Sequence, residues 1–145
     1  HLISSLEVGG AEKLLVEFLR EAVQSEASNN IRVHYTVVVM NDQVNPALKA
    51  ELDSLGLGVY YLNRPEGHRH PKYLYQLMRI IHRHHIQVVH AHNRGSKLWA
   101  MLCKALTPHL KLVMTLHNTQ SASTFSRTQR LLHRRLIDMH IAISG

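Results

Sequence analysis

The sequence predicts an α/β domain: a doubly wound, mostly parallel sheet with helices on both faces. Three observations carry that expectation. Apolar residues recur alternately with a helical and a strand period along the whole chain. The connections between these segments are short, as in right-handed crossover units that place helices on either side of a sheet. Val37-Val38-Val39 is an unbroken β-branched run, the pattern of a strand buried on both faces.

The elements follow in order. His1 to Ser5 reads as a short strand leading into Leu6-Glu7-Val8-Gly9-Gly10. Ala11 to about Ser25 reads as a helix, with Leu14, Leu15, Phe18, Leu19 and Ala22 on one face and Glu17, Arg20, Glu21 and Gln24 on the other. Ile31 to Met40 is the second strand. Pro46 to Leu55 is a short helix stopped by Gly56, and Leu57 to Leu62 a strand. Pro71 to His85 is a helix with proline in its first turn and Leu74, Leu77, Met78 and Ile81 as its stripe. Gln87 to Ala91 is a strand. Ser96 to Leu106 is a mostly apolar helix with Leu98, Leu102 and Leu106 in register. Lys111 to Leu116 is a strand, Phe125 to Leu136 a basic helix, and Met139 to Ser144 a last strand.

Length and composition set limits. At 145 residues and 16.6 kDa, with 45% apolar residues, the chain suits one globular domain. No apolar run approaches the roughly 18–20 residues of a membrane helix. No basic stretch followed by an apolar one marks a secretory signal. Cys103 is the single cysteine, so neither an internal disulfide nor a thiolate zinc cage is expected, and a cytoplasmic setting is. Seventeen Lys and Arg face ten Asp and Glu, with thirteen His besides. The resulting +7 charge and pI near 9.9 suggest an anionic partner. The chain starts at His1 and ends in the apolar run Ile141-Ala142-Ile143, which suggests a piece of something longer.

In a parallel sheet, ligands bind outside the carboxyl ends of the strands. Those ends fall at Glu7–Gly10, Asn41–Asp42, Asn63–Arg64, His92–Gly95, His117–Thr119 and Ser144–Gly145. Gly9 and Gly10 let the backbone turn tightly and open a helix whose amides suit phosphate. A tight turn with no ligand fits them equally well. The spacing is neither a dinucleotide fingerprint nor a P-loop. Glu12, in the first turn, complements the helix dipole and would compete with a bound phosphate.

His90 and His92 share a strand face and offer two nitrogens to one ion. No acidic or cysteine ligand stands nearby in sequence, so no metal is expected. At the sheet's mouth His92 and Asn93 are candidates to hydrogen-bond a ligand, while His90 is expected to pack inside. His82-Arg83-His84-His85 reads as a solvated helix end. His117 and Asn118 end the fifth strand, where an imidazole can donate, accept or polarise near neutral pH. Arg127, Arg130, Arg134 and Arg135 make a one-sided basic helix, either simply solvated or laid on an anionic lipid surface. Arg64, Arg69 and Lys72, with His68 and His70, read as a second basic patch in a loop. Cys103 reads as inert packing.

Together these residues resemble a known family. Leu2-Ile3-Ser4-Ser5-Leu6-Glu7-Val8-Gly9-Gly10-Ala11-Glu12 resembles the opening of the N-terminal domain of family-four retaining glycosyltransferases, which have the GT-B fold. Val88-Val89-His90-Ala91-His92 resembles the family's fourth-strand motif. Val113-Met114-Thr115-Leu116-His117 resembles its fifth-strand motif, and Ile141-Ala142-Ile143-Ser144 the strand after it. The resemblance implies a Rossmann-like half of a two-domain enzyme, the half that mainly binds the acceptor. It implies that Gly9 and Gly10 approach the donor diphosphate and sugar, and that His117 lies beside the reacting sugar. The family's paired glutamate motif has no counterpart in these 145 residues.

The expectation is therefore a single N-terminal domain over residues 1–145, without the C-terminal donor-binding domain and inactive by itself. The whole enzyme would move a sugar from a nucleotide-sugar to a glycan or lipid-linked acceptor, with retention and without metal or cofactor. His117 is the expected catalytic residue; Gly9, Gly10, His92, Asn93 and Asn118 are the expected binding residues. Peripheral contact with an anionic membrane at its inner face is compatible with the charge; a nucleic-acid partner is not expected. A stand-alone nucleotide- or phosphate-binding domain, or half of a sugar-nucleotide epimerase, are the alternatives.

Overall fold

The structure, a computed structural model, describes residues 1–26, 33–116 and 133–142. The described residues include, in order, β1 (Leu2–Ile3), α1 (Gly10–Glu26), β2 (Thr36–Asn41), α2 (Pro46–Asp53), β3 (Gly58–Arg64), α3 (Pro71–Arg83), β4 (Val88–Ala91), α4 (Arg94–Leu106), β5 (Lys111–Leu116) and β6 (Met139–Ala142). The strands form one sheet in the order β3-β2-β1-β4-β5-β6. Every pairing is parallel. The strand order reverses direction at β1, so the switch point lies between β1 and β4, where a crevice opens at the carboxyl ends.

Two cores flank the sheet, as the β-branched run requires. Val37 and Val39 face one way, with Ile3, against Leu15, Val16 and Leu19 of α1 and Leu48 and Leu52 of α2. Val38 and Met40 face the other, with Leu2, Val89, Leu112 and Met114, against Tyr73 and Leu77 of α3 and Trp99 and Cys103 of α4. Asn45 caps α2 by accepting from the Leu48 amide, with Pro46 behind it. His70 caps α3 in the same way ahead of Pro71. After α2, Gly56 takes φ +71°, the left-handed bend that ends the helix.

Several sequence expectations shift. The regular part of β1 is Leu2–Ile3, shorter than 1–5, and Leu6 then bridges to Val44. Strand β2 starts at Thr36 and not before. The buried stripe of α1 is Leu15, Val16 and Leu19, while Leu14 and Phe18 are exposed. In α4 the helix begins at Arg94, and Leu98, Leu102 and Leu106 all point to solvent. Trp99, Ala100 and Cys103 are the buried residues there. The start of α4 is set by a contact distant in sequence: Gly95 lies against Ser4 and Asn93 accepts from it, which holds the helix to the chain after β1. Burial pushes the Cys103 thiol up to about 12, so it is unreactive packing. Among the described residues no helix is long and apolar enough to cross a membrane. Of the expected basic helix, only residues 133–136 lie within the described residues, with Arg134 and Arg135 exposed.

Candidate functional site

At the carboxyl edge of the sheet the ends of β1, β2, β3 and β4 surround a cavity of about 630 Å³, whose walls include Ser4, Glu7, Asn41, Arg64, Arg69 and Asn93. Two polar clusters build those walls. The first centres on Asn93, the N-cap of α4. Its Oδ1 accepts from the Ser96 amide at 3.1 Å, the Ser4 hydroxyl at 2.6 Å and the Ser4 amide at 3.3 Å. Ser96 completes the reciprocal capping box. One carboxamide thus ties the chain after β1 to the start of α4 across the switch point. Gly95 makes this approach possible, because a Cβ there would collide with the Ser4 hydroxyl and lie 3.1 Å from Ser4 Cβ.

The second cluster centres on Arg64, at the end of β3. The sequence placed it at a strand end and in a basic loop patch; the structure buries it to 6% exposure. Its Nη1 donates to the His68 carbonyl at 2.6 Å and its Nη2 to Asn41 Oδ1 at 2.5 Å. The guanidinium stands 5.6 Å from the Trp99 ring centroid, within cation–π range. Arg64 Nε is buried with no hydrogen-bond partner. Asn63, one residue earlier, has φ +48°, which turns the chain at the strand end. The signal available in the sequence was the polar pair Asn41 and Arg64 at neighbouring strand ends.

The double glycine lies just beyond this cavity, two residues after Glu7 on its wall. The Lys13 amide donates to the Gly9 carbonyl at 3.2 Å, so Gly9 caps α1 and the next amides are the helix's unpaired first turn. Glu12 curls back until its carboxylate lies where a Gly9 Cβ would stand. Gly10 has open space around its Cα. The Glu12 carboxylate thus sits over the glycine turn at the start of the helix.

The remaining expected residues divide. Asn93 does line the cavity, with its Oδ1 committed to the cap. His92 is buried at 6% exposure, on the α1 side of the sheet, its Nε2 2.8 Å from His1 Nδ1. His90 lies on the same face, its Nε2 2.6 Å from Thr115 Oγ1. Burial lowers His90 below the usual imidazole range. The sequence reading missed His1, which pairing with β4 carries to both histidines. His117 and Asn118 lie outside the described residues.

Comparison with known proteins now bears on this arrangement. A model of Glycosyltransferase Family 4 matches residues 8–145. The chain belongs to glycosyltransferase family 4. Among solved structures, this glycosyltransferase domain is similar to Alr3699/HepE of Anabaena in complex with UDP-glucose, with 18% identity, TM-score 0.65, and coverage of 99% of this chain and 37% of that one. The same Anabaena protein with UDP and glucose gives TM-score 0.63 at 18% identity, over 97% and 37% of the two chains. A glycosyltransferase from Rickettsia africae ESF-5 gives 0.62 at 14% identity, over 99% and 36%. The chain thus spans a little over a third of the length of these structures. No curated protein matches it. The six-stranded parallel sheet is the Rossmann-like architecture of GT-B glycosyltransferases.

Proposed function

We propose that this domain is the acceptor-side half of a retaining, hexosyl-transferring enzyme that uses a nucleotide-sugar, with a C-terminal domain supplying most of the donor site. The observation that carries the reading is the polar cavity at the sheet's switch point, whose wall includes Glu7, two residues before the double-glycine turn, in a chain of this family. The Anabaena relative is described with UDP-glucose, which supports a donor of that class here.

The roles follow from the chemistry. Leaving-group charge builds on the donor diphosphate as the glycosidic bond breaks. Amides of the first turn of α1, beyond Gly9 and Gly10, would meet that charge with fixed dipoles that need no reorganisation. His117 follows Leu116, the last residue of β5, and would orient the sugar or the acceptor hydroxyl. Ser4, Asn41, Arg64 and Asn93 hold one another rigid, so the acceptor would enter a preformed polar wall. Arg134 and Arg135 are exposed, and with Arg127 and Arg130 they would favour an anionic glycan, lipid-linked acceptor or cytoplasmic lipid surface. Nothing in these roles calls on a cofactor.

The test is a panel of nucleotide-sugars offered to the complete gene product, with glycan and lipid-linked acceptors, and product analysis that includes the anomeric configuration. A new glycosidic bond of the donor's configuration is the expected result. A sugar-nucleotide altered only in its sugar would indicate an epimerase, and binding without turnover a binding domain; either overturns the proposal. His117→Ala should lower turnover at equal folded concentration, and unchanged activity would remove that residue from the mechanism.

A further inference from the structure

The registry of β1 against β4 has a consequence that lies outside sugar transfer. Leu2 pairs with Ala91, so the residue before Leu2 comes alongside His90 on the same sheet face, with His92 two residues on. Residues 89 positions apart in the chain therefore put three imidazoles together. The ring centroids of His90 and His92 are 4.1 Å apart, those of His1 and His92 5.0 Å, and those of His1 and His90 5.3 Å. One ring nitrogen from each lies within 4.8 Å of the other two.

We infer that His1, His90 and His92 form a three-histidine site for a divalent transition-metal ion, zinc by preference. The donor set suits it: imidazole nitrogen is a standard ligand for zinc, cobalt and nickel, and three such ligands leave a fourth tetrahedral position for water. Zn–N bonds of about 2.0–2.1 Å put tetrahedral ligand nitrogens roughly 3.3 Å apart. The His1–His92 nitrogens stand at 2.8 Å, and a ring nitrogen of His90 lies within 4.8 Å of both. Thr115 Oγ1 on His90 Nε2 fixes one ring, the kind of outer partner that orients a ligand. Access exists, because a cavity of about 710 Å³ at the amino edge of the sheet reaches both His1 and His90. His1 and His90 are only half-buried, so a coordinated water or an exchangeable ligand has room. The site sits on the α1 side of the sheet, against the rings of Phe18 and Tyr35, and not in the cavity beside Arg64.

The experiment uses the complete chain, stripped with a chelator and titrated with Co²⁺ and then Zn²⁺. One cobalt per chain with the strong visible bands of four-coordinate cobalt is expected, displaced by one equivalent of zinc. His92→Gln and His90→Gln should each weaken binding at least about 100-fold, since even outer-shell losses cost 10–100-fold. Thr115→Val should weaken it roughly tenfold. The exposed pair His82→Ala and His109→Ala serves as a control that leaves binding unchanged. Far-ultraviolet circular dichroism and Trp99 fluorescence check that each variant is folded. Wild-type protein that shows only weak, multi-site cobalt uptake, or folded His90 and His92 variants that bind as tightly as the parent, would overturn the assignment.

Discussion

Gly95→Ala tests whether the switch point is as tightly built as the distances say. The new methyl carbon would collide with the Ser4 hydroxyl and sit 3.1 Å from Ser4 Cβ. Ser4 has no long flexible arm to swing away, and its hydroxyl is committed to Asn93 Oδ1 at 2.6 Å. Turning it aside gives up that hydrogen bond, about 1 kcal/mol. The remaining overlap behaves as overpacking, about 1–3 kcal/mol. Against this, alanine is worth up to roughly 1 kcal/mol over glycine in a helix interior, and less in the first turn. The net expectation is a loss of about 1–3 kcal/mol, although the same substitution at an open helical glycine would stabilise. Urea unfolding followed by fluorescence of Trp99, the single tryptophan and itself buried, measures it. Ser4→Gly removes both clashing atoms, so the double variant should recover most of the loss, a coupling that a double-mutant cycle isolates. A Gly95→Ala protein as stable as the parent, or a double variant showing simple additivity, would show that the helix and the strand end do not meet as described.

Two further outcomes follow from other residues. Asp138 is held down to about 2, first by the Leu112 amide and then by Lys104 and Lys111, so its carboxylate stabilises the fold above about pH 4 and that contribution disappears as pH falls from about 4 to 2. Because the group is partly solvated, the expected cost of Asp138→Asn at pH 7 is about 1 kcal/mol, shrinking toward acid; a constant difference from pH 7 to pH 2 would refute the linkage. Arg64→Lys keeps the charge but loses the planar fork, so either Asn41 Oδ1 or the His68 carbonyl goes unpaired; a loss of about 1–3 kcal/mol in the same urea assay is expected, and a neutral effect would show that these two hydrogen bonds do not hold Arg64 in place.

The order of the elements was legible because periodicity is written locally: a run such as Val37–Val39 needs no knowledge of its neighbours to reveal a doubly buried strand. Which side of a helix faces inward was not. In α4 the leucines at 98, 102 and 106 satisfy a helical stripe, yet Trp99, Ala100 and Cys103 are the buried set. That rotation is decided by contact between Gly95 and Ser4, two residues far apart in sequence. The same limit governs the site. The strand ends could be named from the sequence, and Asn93 does stand on the cavity wall. That Arg64 would leave its loop patch for the interior depended on Asn41 and Trp99, contributed by β2 and α4. His1 could not be joined to His90 and His92 without the strand order, because only the β1–β4 pairing brings them together.

The division of polar groups at this edge has its own logic. A sugar presents many similar hydroxyls, and each exposed hydrogen bond to them gains little over water. Discrimination therefore requires donors and acceptors that cannot relax toward the wrong hydroxyl. Asn93 is locked by three bonds to Ser4 and Ser96, and Arg64 by Asn41 and the His68 carbonyl. These bonds hold the wall in one shape before any ligand arrives. The adjustable element is Glu12, a single flexible carboxylate folded over the Gly9 turn. On the proposed acceptor-side reading, rigid walls beside one carboxylate at the glycine turn would let donor arrival reorganise the site without disturbing acceptor selection.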